Sequence, residues 1–192
     1  MESPMKSLSP MRWVFGLALA GCMVPALANP YTTMQDREIK ALSAEEQEGL
    51  LDGQGLGMAL PAELHGYPGP QHVLEVADQL DLSAEQQAET ERLFDAMREQ
   101  ARELGQRIVD LERELDERFA SREITSDQIE ALTVEIGELR GRLRHVHLSY
   151  HLEMDELLSG EQREAYQRAR GYDEDRPGAH DHQHDHGHHH SH

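Results

Sequence analysis

The fold is decided by residues 84–120, which read AEQQAETERLFDAMREQARELGQRIVDLERELDERFA. Apolar side chains recur through this stretch at steps of three and four residues, at Leu93, Met97, Ala101, Leu104, Ile108, Leu111, Leu115 and Phe119. That spacing puts them on one face of an α-helix. We therefore predict a single helix from Ala84 to Ala120, about 55 Å long at a rise of 1.5 Å per residue.

A second stretch follows the same rule after a break at residues 121–125. Its apolar positions are Ile129, Leu132, Ile136, Leu139, Leu143, Val146, Tyr150 and Leu157. So short a link makes the two helices antiparallel, and each apolar stripe is only as wide as a coiled-coil seam. The predicted fold class is all-α, an elongated antiparallel helical hairpin with short flanking helices. We expect Gly105, Gly137 and Gly141 to soften or bend the helices, because each costs about 1 kcal/mol relative to Ala.

The flanking segments are less regular. Residues 29–70 combine a short helical pattern at 44–51 with two clusters of Gly and Pro, so we predict an irregular N-terminal arm. Residues 71–171 form the predicted helical domain. This domain opens with one amphipathic helix over residues 73–80 and closes with a helix that begins at Gly160 or Glu161 and ends near Arg170.

Composition excludes several classes of function. The 192 residues include 37 acidic and 18 basic side chains, for a formal net charge of −19. A phosphate backbone is bound by clustered Lys and Arg, so we expect no nucleic-acid partner. Lys6 and Lys40 are the only lysines, and the sequence has no phosphate-binding loop, Gly-x-Ser-x-Gly elbow or His-Glu-x-x-His zinc signature. We predict that the protein is not an enzyme and does not use ATP.

The first residues have the pattern of an export signal. Lys6 and Arg12 precede an apolar run over residues 13–24, which is too short to span a bilayer and long enough for a signal-peptide core. Two endings compete: cleavage after Ala28, which gives a signal peptide over residues 1–28, or a lipoprotein signal that ends before Cys22. Acylation of Cys22 would anchor the protein to the outer membrane. After cleavage at Ala28 no cysteine remains, so helix packing or a partner must stabilise the chain, and we expect a homodimer.

Three predicted helix starts share one pattern, an apolar residue followed by Ser or Thr and then by Gln three positions later. It occurs at residues 82–86, 124–128 and 158–162. A hydroxyl at the N-cap with Gln at the third helical position makes a capping box. A fourth copy at residues 42–46 has Glu in place of Gln. Capping accounts for the hydroxyl and the amide, but it does not require the apolar residue before them.

The first and third copies carry a family resemblance. The matching residues are Leu82, Ser83, Gln86, Leu158, Ser159 and Gln162. Through them the chain resembles the Spy/CpxP family of periplasmic stress proteins, whose mark is a pair of Leu-Thr-x-x-Gln motifs on an all-helical chain. The resemblance covers about residues 71–170. It implies a cradle-like dimer that acts as an ATP-independent chaperone of unfolded envelope proteins, as a partner of a membrane-bound stress sensor, or in zinc and nickel resistance.

Histidines gather near the C-terminus of the sequence. Eight of the 13 lie in residues 172–192, which we predict to be a disordered tail: His180, His182, His184, His186, His188, His189, His190 and His192. Neutral imidazole is a ligand suited to Zn, Ni and Cu(II). We therefore predict that the tail binds one of these metals, with an affinity that falls as the pH drops through about 6.5. No resident cofactor is required.

A second histidine cluster lies on the second long helix, at His145, His147, His151, Met154 and Asp155. His147 and His151 are four residues apart on one flank of the apolar stripe. The resemblance implies a metal role for them, because metal-sensing relatives carry His-x-x-x-His ligands on helices. Two interpretations stay open: a fixed metal site at His147 and His151, or exposed or dimer-interface histidines without a ligand role. We predict that His65 and His72, beside the Gly-Pro turn, are structural.

Two main functional hypotheses follow. The first is a periplasmic stress protein whose cradle binds exposed apolar segments of damaged proteins while its tail buffers zinc, nickel or copper. The client contacts would then be Met97, Leu104, Leu111, Phe119 and Ile124, which fit the seam of the hairpin equally well. The second is a periplasmic heavy-metal sensor that regulates a membrane-bound signalling partner through His147 and His151. A passive metal sponge is a simpler third hypothesis.

Overall fold

The computed structural model describes residue 29 and residues 31–172. Two compact units divide between Met34 and Gln35. The described part of the first unit is a 3-10 turn, Thr32–Met34, preceded by Asn29, whose side-chain oxygen accepts a hydrogen bond from the backbone N–H of Tyr31 at 3.0 Å. The predicted signal peptide, Cys22 and the tail histidines lie outside the described residues.

The described part of the second unit is built from helices. They are α1 (Ala44–Asp52), α2 (Leu60–Leu64), α3 (Pro70–Glu75), α4 (Ala84–Ser121), α5 (Ser126–Leu157) and α6 (Gly160–Ala169), with a 3-10 turn at Ala77–Gln79. Residues 31–172 contain no strand, so the predicted all-α class is confirmed. No helix in this part of the chain combines the length and the apolar character that a membrane span requires.

The predicted antiparallel hairpin is confirmed in α4 and α5, which make the most extensive helix pair of the described chain. α4 ends one residue later than predicted, and Arg122 after it adopts a left-handed backbone with φ of 58°. The predicted periodicity marks the buried face. The residues buried along this face are Leu93, Met97, Ala101, Ile108, Leu132, Ile136, Leu139, Leu143, Val146 and Tyr150.

The helix predicted over residues 73–80 is wrong in its bounds. α3 begins at Pro70, because the fixed φ of proline suits the first helical position and Gly69 before it is extended. α3 ends at Glu75, since Val76 leaves the helical region with φ of −117°. A separate 3-10 turn then completes the segment. The apolar pattern therefore marks the correct buried side chains, Val73, Val76 and Leu80, but not a continuous helix.

The segment predicted as an irregular arm is more ordered than its sequence indicated. Its helical pattern at residues 44–51 forms α1, and α2 follows within the same segment. Ile39, Leu42 and Leu50 are at most 1% exposed and belong to one hydrophobic cluster with buried residues of α4 and α5. Residues 39–50 therefore complete the core on one side of the hairpin.

Gly105 has a packing role that corrects the expectation of a softened helix. A Cβ atom added to this residue would lie 2.0 Å from the backbone oxygen of Leu50, so only glycine allows α1 to approach α4 this closely. Gly137 and Gly141 differ, because a Cβ atom at either position would meet no atom within 4 Å among the described residues. Nothing in this part of the structure explains why α5 carries these two glycines.

All four predicted capping boxes are present, at the starts of α1, α4, α5 and α6. Two of them do more than cap. Gln86 and Gln162 donate a hydrogen bond to each other's side-chain oxygen, each at 2.9 Å. Gln86 also donates to the backbone oxygen of Leu157 at 3.0 Å. The two copies that carry the family resemblance therefore connect the start of α4 by side-chain hydrogen bonds to the start of α6 and to the end of α5.

Candidate metal-binding pocket

Helix α2 buries its charged side chain and exposes its leucines, the reverse of the pattern along α4. Glu63, its one acidic residue, is 4% exposed, whereas Leu60 and Leu64 are 53% and 62% exposed. A carboxylate is rarely buried unless it is paired, because removing its charge from water is costly. The partners of Glu63 therefore account for the orientation of this helix.

Four side chains converge on the Oε1 atom of Glu63. The Tyr166 hydroxyl donates a hydrogen bond to it, and so does the Tyr172 hydroxyl, at 3.0 Å. The Nδ1 atom of His72 lies 3.2 Å away and the Nε atom of Arg170 lies 3.5 Å away. Burial raises the pKa of Glu63, but the hydrogen bonds from His72 and the two tyrosines outweigh it and lower this pKa to about 2. The buried carboxylate is therefore ionised at neutral pH.

His151 is held in a defined tautomer. Its Nδ1 atom lies 2.8 Å from the backbone oxygen of Tyr67. A carbonyl oxygen only accepts hydrogen bonds, so Nδ1 carries the proton and Nε2 of the neutral ring keeps its lone pair. Gly69 makes room for this ring, since a Cβ atom there would lie 2.9 Å from Nε2. Burial lowers the pKa of His151, although the bond to Tyr67 and the charge of Glu63 act in the opposite direction.

His147 lies one turn earlier on α5 and is 3% exposed. Its Nε2 atom is buried and has no hydrogen-bond partner among the residues that the structure describes. Burial lowers the pKa of His147, and the nearby His151 lowers it further, so that the neutral ring is favoured. Buried polar atoms without partners are rare in proteins, because each one loses its bonds to water and gains nothing in exchange. The free Nε2 atom therefore needs an explanation beyond packing.

The two histidines open into a cavity of about 210 Å³. We call it the His pocket, and its polar or polarisable lining residues are Glu63, Gln71, His72, Met97, His147 and His151. The Oε2 atom of Glu63 is a second buried atom there, 3.9 Å from the Nδ1 atom of His151, and it accepts no hydrogen bond from the residues described. Imidazole nitrogens, a carboxylate and a thioether are ligands of the borderline and soft transition metals. The His pocket therefore offers ligand types that suit such a metal. Two of its buried polar atoms also lack a hydrogen bond to any described residue.

These side chains do not form a finished coordination site. Within residues 31–172, no three side chains of the His, Cys, Asp or Glu type are grouped as a metal would hold them. The unsatisfied Nε2 atom of His147 and the Nε2 lone pair of His151 are separate features of one pocket. A bound ion would therefore require side chains to turn or a further ligand to enter.

The structure divides the predicted cluster on α5. His147 and His151 reach the His pocket, whereas Met154 is fully buried in the hydrophobic core. Asp155 pairs with Arg163 at 3.4 Å. His145 is exposed on the helix surface. Periodicity placed His147 and His151 on one flank of α5 but gave no means of separating them from their neighbours.

His72 was predicted to be structural, together with His65, yet it lines the pocket and contacts Glu63. His65 is exposed after the end of α2. Glu63 and Met97 were not predicted as site residues. Met97 was instead a proposed client contact, and it is 7% exposed within the core. Spacing gives no signal for Glu63, because positions three and four residues apart share a helix face and the sequence would group Glu63 with Leu60 and Leu64.

The comparison with protein families agrees with the chemistry of the pocket. A family model described as heavy-metal resistance matches residues 54–165, which is more than half of the chain and includes all six polar or polarisable lining residues of the pocket. The match begins 17 residues before the predicted domain boundary at residue 71. No curated protein and no solved structure matches the chain. On the strength of this match, the chain belongs to the heavy-metal resistance family.

Proposed function

We propose that the protein is an exported, periplasmic heavy-metal-binding protein whose fixed site is the His pocket. The observation that carries this proposal is the buried Nε2 atom of His147, which has no partner within the described part of the chain and lies beside a second buried imidazole and an ionised carboxylate. A divalent cation would satisfy that atom and offset the charge of Glu63. Membership of the heavy-metal resistance family supports the same role.

The residues of the pocket would have different roles in binding the metal. His147 and His151 would hold the ion through Nε2, and His72 is the third imidazole within the pocket. The carbonyl of Tyr67 fixes the ring of His151, an arrangement that orients metal-ligating histidines and raises their basicity. When bound, the metal would supply positive charge and coordination bonds at this site. Its chemistry is retention of the ion.

The ligand types indicate the class of metal. Imidazole-rich sites suit zinc, nickel and copper, whereas magnesium and calcium prefer oxygen ligands. Burial keeps His147 and His151 neutral, which is the form that binds metal. Zinc, nickel and copper therefore remain the metals that we propose for the pocket.

The other proposals rest on the sequence. The signal-peptide pattern supports export, with cleavage after Ala28 or acylation of Cys22, and the eight tail histidines support a second, weaker store of metal. The paired motifs ending at Gln86 and Gln162 support a relationship with the Spy/CpxP family and a homodimer. The exposed Gly137 and Gly141 on α5 leave space for a second helix.

Metal titration of the protein truncated after Gly178 tests the fixed site without the tail. We expect binding of one Zn(II) per chain, and its loss when His147 and His151 are both replaced by Ala. The matched control replaces two exposed histidines, His65 and His145, and we expect it to bind like the parent. Equal binding by both double variants would contradict the proposal.

A second function, binding of unfolded envelope proteins, is favoured by apolar side chains on the surface. Leu60 and Leu64 on α2 and Phe119 near the end of α4 are all more than half exposed. The same exposed apolar residues would also suit a membrane-bound stress sensor as the partner. The test is suppression of the aggregation of a heat-unfolded client. We expect Leu60→Ser with Leu64→Ser to weaken it, and no suppression by the parent protein would remove this function.

A further inference from the structure

A second cavity lies between the two long helices and shares no lining residue with the His pocket. It is a groove of about 870 Å³, and all of its lining residues belong to α4 or α5. We call it the hairpin groove. On α5 its lining extends from Asp127 to Arg142, a length of about 22 Å at a rise of 1.5 Å per residue. This length matches about four turns of another helix.

The floor of the hairpin groove is apolar. Its apolar lining residues are Leu104, Ala131, Val134 and Leu139. Leu139 is 8% exposed and belongs to a core cluster of the hairpin, whereas Val134 is 55% exposed. No described residue outside α4 and α5 lines the groove, so this part of the hairpin has no covering element within the described chain. A groove with an apolar floor is the kind of surface that receives the apolar face of an amphipathic helix.

The rim of the hairpin groove is acidic. Its carboxylates are Glu103, Asp127, Glu130, Glu135 and Glu138. Arg107 and Arg142 are its two basic residues, so the formal net charge of the lining is −3. Arg107 pairs with Glu135 and so joins α4 to α5. The other four carboxylates form no ion pair with any residue that the structure describes, and they remain available to positive charges on a partner.

The charge of the rim indicates what kind of partner the groove accepts. Complementary charges across an interface speed association, whereas like charges placed together disfavour a partner. A second copy of this chain carries a formal net charge of −19, so it suits the acidic rim poorly. A helix with an apolar face between Lys or Arg side chains suits both the floor and the rim.

We propose that the hairpin groove binds a positively charged amphipathic helix of another protein. The apolar side chains of that helix would cover Leu104, Val134 and Leu139, and its Lys or Arg side chains would lie beside Glu130 and Glu138. This interaction surface is separate from the His pocket and from the exposed leucines of α2. The inference therefore goes beyond the proposed function and does not depend on it.

The probe for this surface is a fluorescein-labelled peptide of about 18 residues, with Leu at helical steps of three and four and Lys at the other positions. Fluorescence anisotropy at about 0.15 M NaCl measures its Kd for residues 29–192. A second peptide keeps every Leu and replaces each Lys with Glu. We expect the Lys peptide to bind at least about tenfold more tightly than the Glu peptide, because only its charge complements the rim.

One pair of exposed residues on α5 tests the apolar floor. Val134 and Leu152 are each 55% exposed, so replacing either with Ser should leave the fold intact. Val134 lines the groove and Leu152 does not. We expect Val134→Ser to raise the Kd of the Lys peptide about fivefold, and Leu152→Ser, the matched control, to change it by less than about twofold.

Two pairs of glutamates on α5 test the acidic rim. Glu130→Gln with Glu138→Gln should raise the Kd of the Lys peptide about fivefold. The control, Glu153→Gln with Glu156→Gln, removes the same charge from two exposed positions outside the groove. Glu153 lies about 22 Å beyond Glu138 along the helix, which exceeds the Debye length of about 8 Å at this ionic strength. The control should therefore change the Kd by less than about twofold.

Equal effects of the groove and control substitutions would overturn the inference, because the general negative charge of the protein would then account for binding. Equal affinity for the two peptides, or no binding of either, would overturn it as well. Sedimentation of residues 29–192 with and without Val134→Ser tests the other occupant. Conversion of a dimer to a monomer by this change would assign the groove to a second copy of the chain and contradict the inference.

Discussion

Helices α4 and α2 place their side chains by opposite rules. α4 buries apolar residues at three- and four-residue steps, whereas α2 buries Glu63 and exposes Leu60 and Leu64. The apolar stripe of α4 gains free energy by leaving water, so its own sequence determines which face is inside. The orientation of α2 is instead stabilised by the hydrogen bonds and ion pairs of Glu63, whose partners all lie on other elements. Sites where local pattern and structure disagree in this way are often functional.

The largest expected effect comes from truncating a buried leucine of the hairpin. Leu143 is 1% exposed, so Leu143→Ala should lower the free energy of unfolding by about 3 kcal/mol, through lost burial and the cavity left behind. Leu64→Ala on α2 should cost less than about 0.5 kcal/mol. Urea unfolding of both variants measures the contrast. Similar losses would show that α2 contributes to the core in the way that α5 does.

Glycine substitutions in α4 and α5 should change the free energy of unfolding by about 2 kcal/mol or less. Gly105→Ala should destabilise the protein by about 2 kcal/mol, because backbone atoms of Leu50 must move away. Gly137→Ala should stabilise the monomer by about 0.5 to 1 kcal/mol, since its Cβ atom would meet no atom within 4 Å in the described part of the chain and alanine favours a helix. Thermal unfolding and sedimentation of both variants test this. Loss of a dimer in Gly137→Ala would indicate that a second chain covers this face.

The two kinds of capping box should differ in their contribution to the free energy of unfolding, by less than the glycine substitutions do. Gln86→Ala and Gln128→Ala each remove one bond to the N-cap backbone, but only Gln86 also bonds to Gln162 and Leu157. We expect Gln86→Ala to cost about 1 kcal/mol more than Gln128→Ala. The double variant Gln86→Ala with Gln162→Ala should cost less than the sum of its single changes. Strict additivity would mean that the pair contributes nothing beyond capping.

The smallest expected effect is the pH dependence that the pocket histidines add to stability. Burial lowers the pKa of His147 and His151 from the ordinary value of 6.5, so the folded protein binds these protons less readily than the unfolded chain. Their stabilising contribution is therefore present above pH 6.5 and is lost as the pH falls through the folded values. With a chelator present, the urea midpoint should fall less on acidification in His147→Gln with His151→Gln. Parallel curves for parent and variant would contradict this.

The hairpin could be predicted from sequence because its signals are local. The spacing of Leu93, Met97 and Ala101 defines a face, and Ser83 with Gln86 defines a helix start within four residues. The same logic gave the start of α6 at Ser159. It failed to show that Gln86 and Gln162 pair, because that contact joins residues 76 positions apart.

The pocket could be predicted only in part, for the same reason. His147 and His151 share a helix, so their spacing placed them together. Glu63 and His72 approach them through packing of α2 and α3, and no local pattern separates a buried glutamate from the exposed acids of an acidic chain. The sequence marks residues 66–70 only as a cluster of Gly and Pro, whereas the role of Gly69 beside the ring of His151 depends on the folded structure.

The most direct test of the account is to locate the metal. Crystals of the protein truncated after Gly178, grown with Zn(II), can be measured at wavelengths on both sides of the zinc absorption edge. If the His pocket holds the metal, we expect an anomalous peak about 2.0 to 2.1 Å from the Nε2 atoms of His147 and His151. A peak elsewhere on the protein, with none in the His pocket at a saturating zinc concentration, would contradict it.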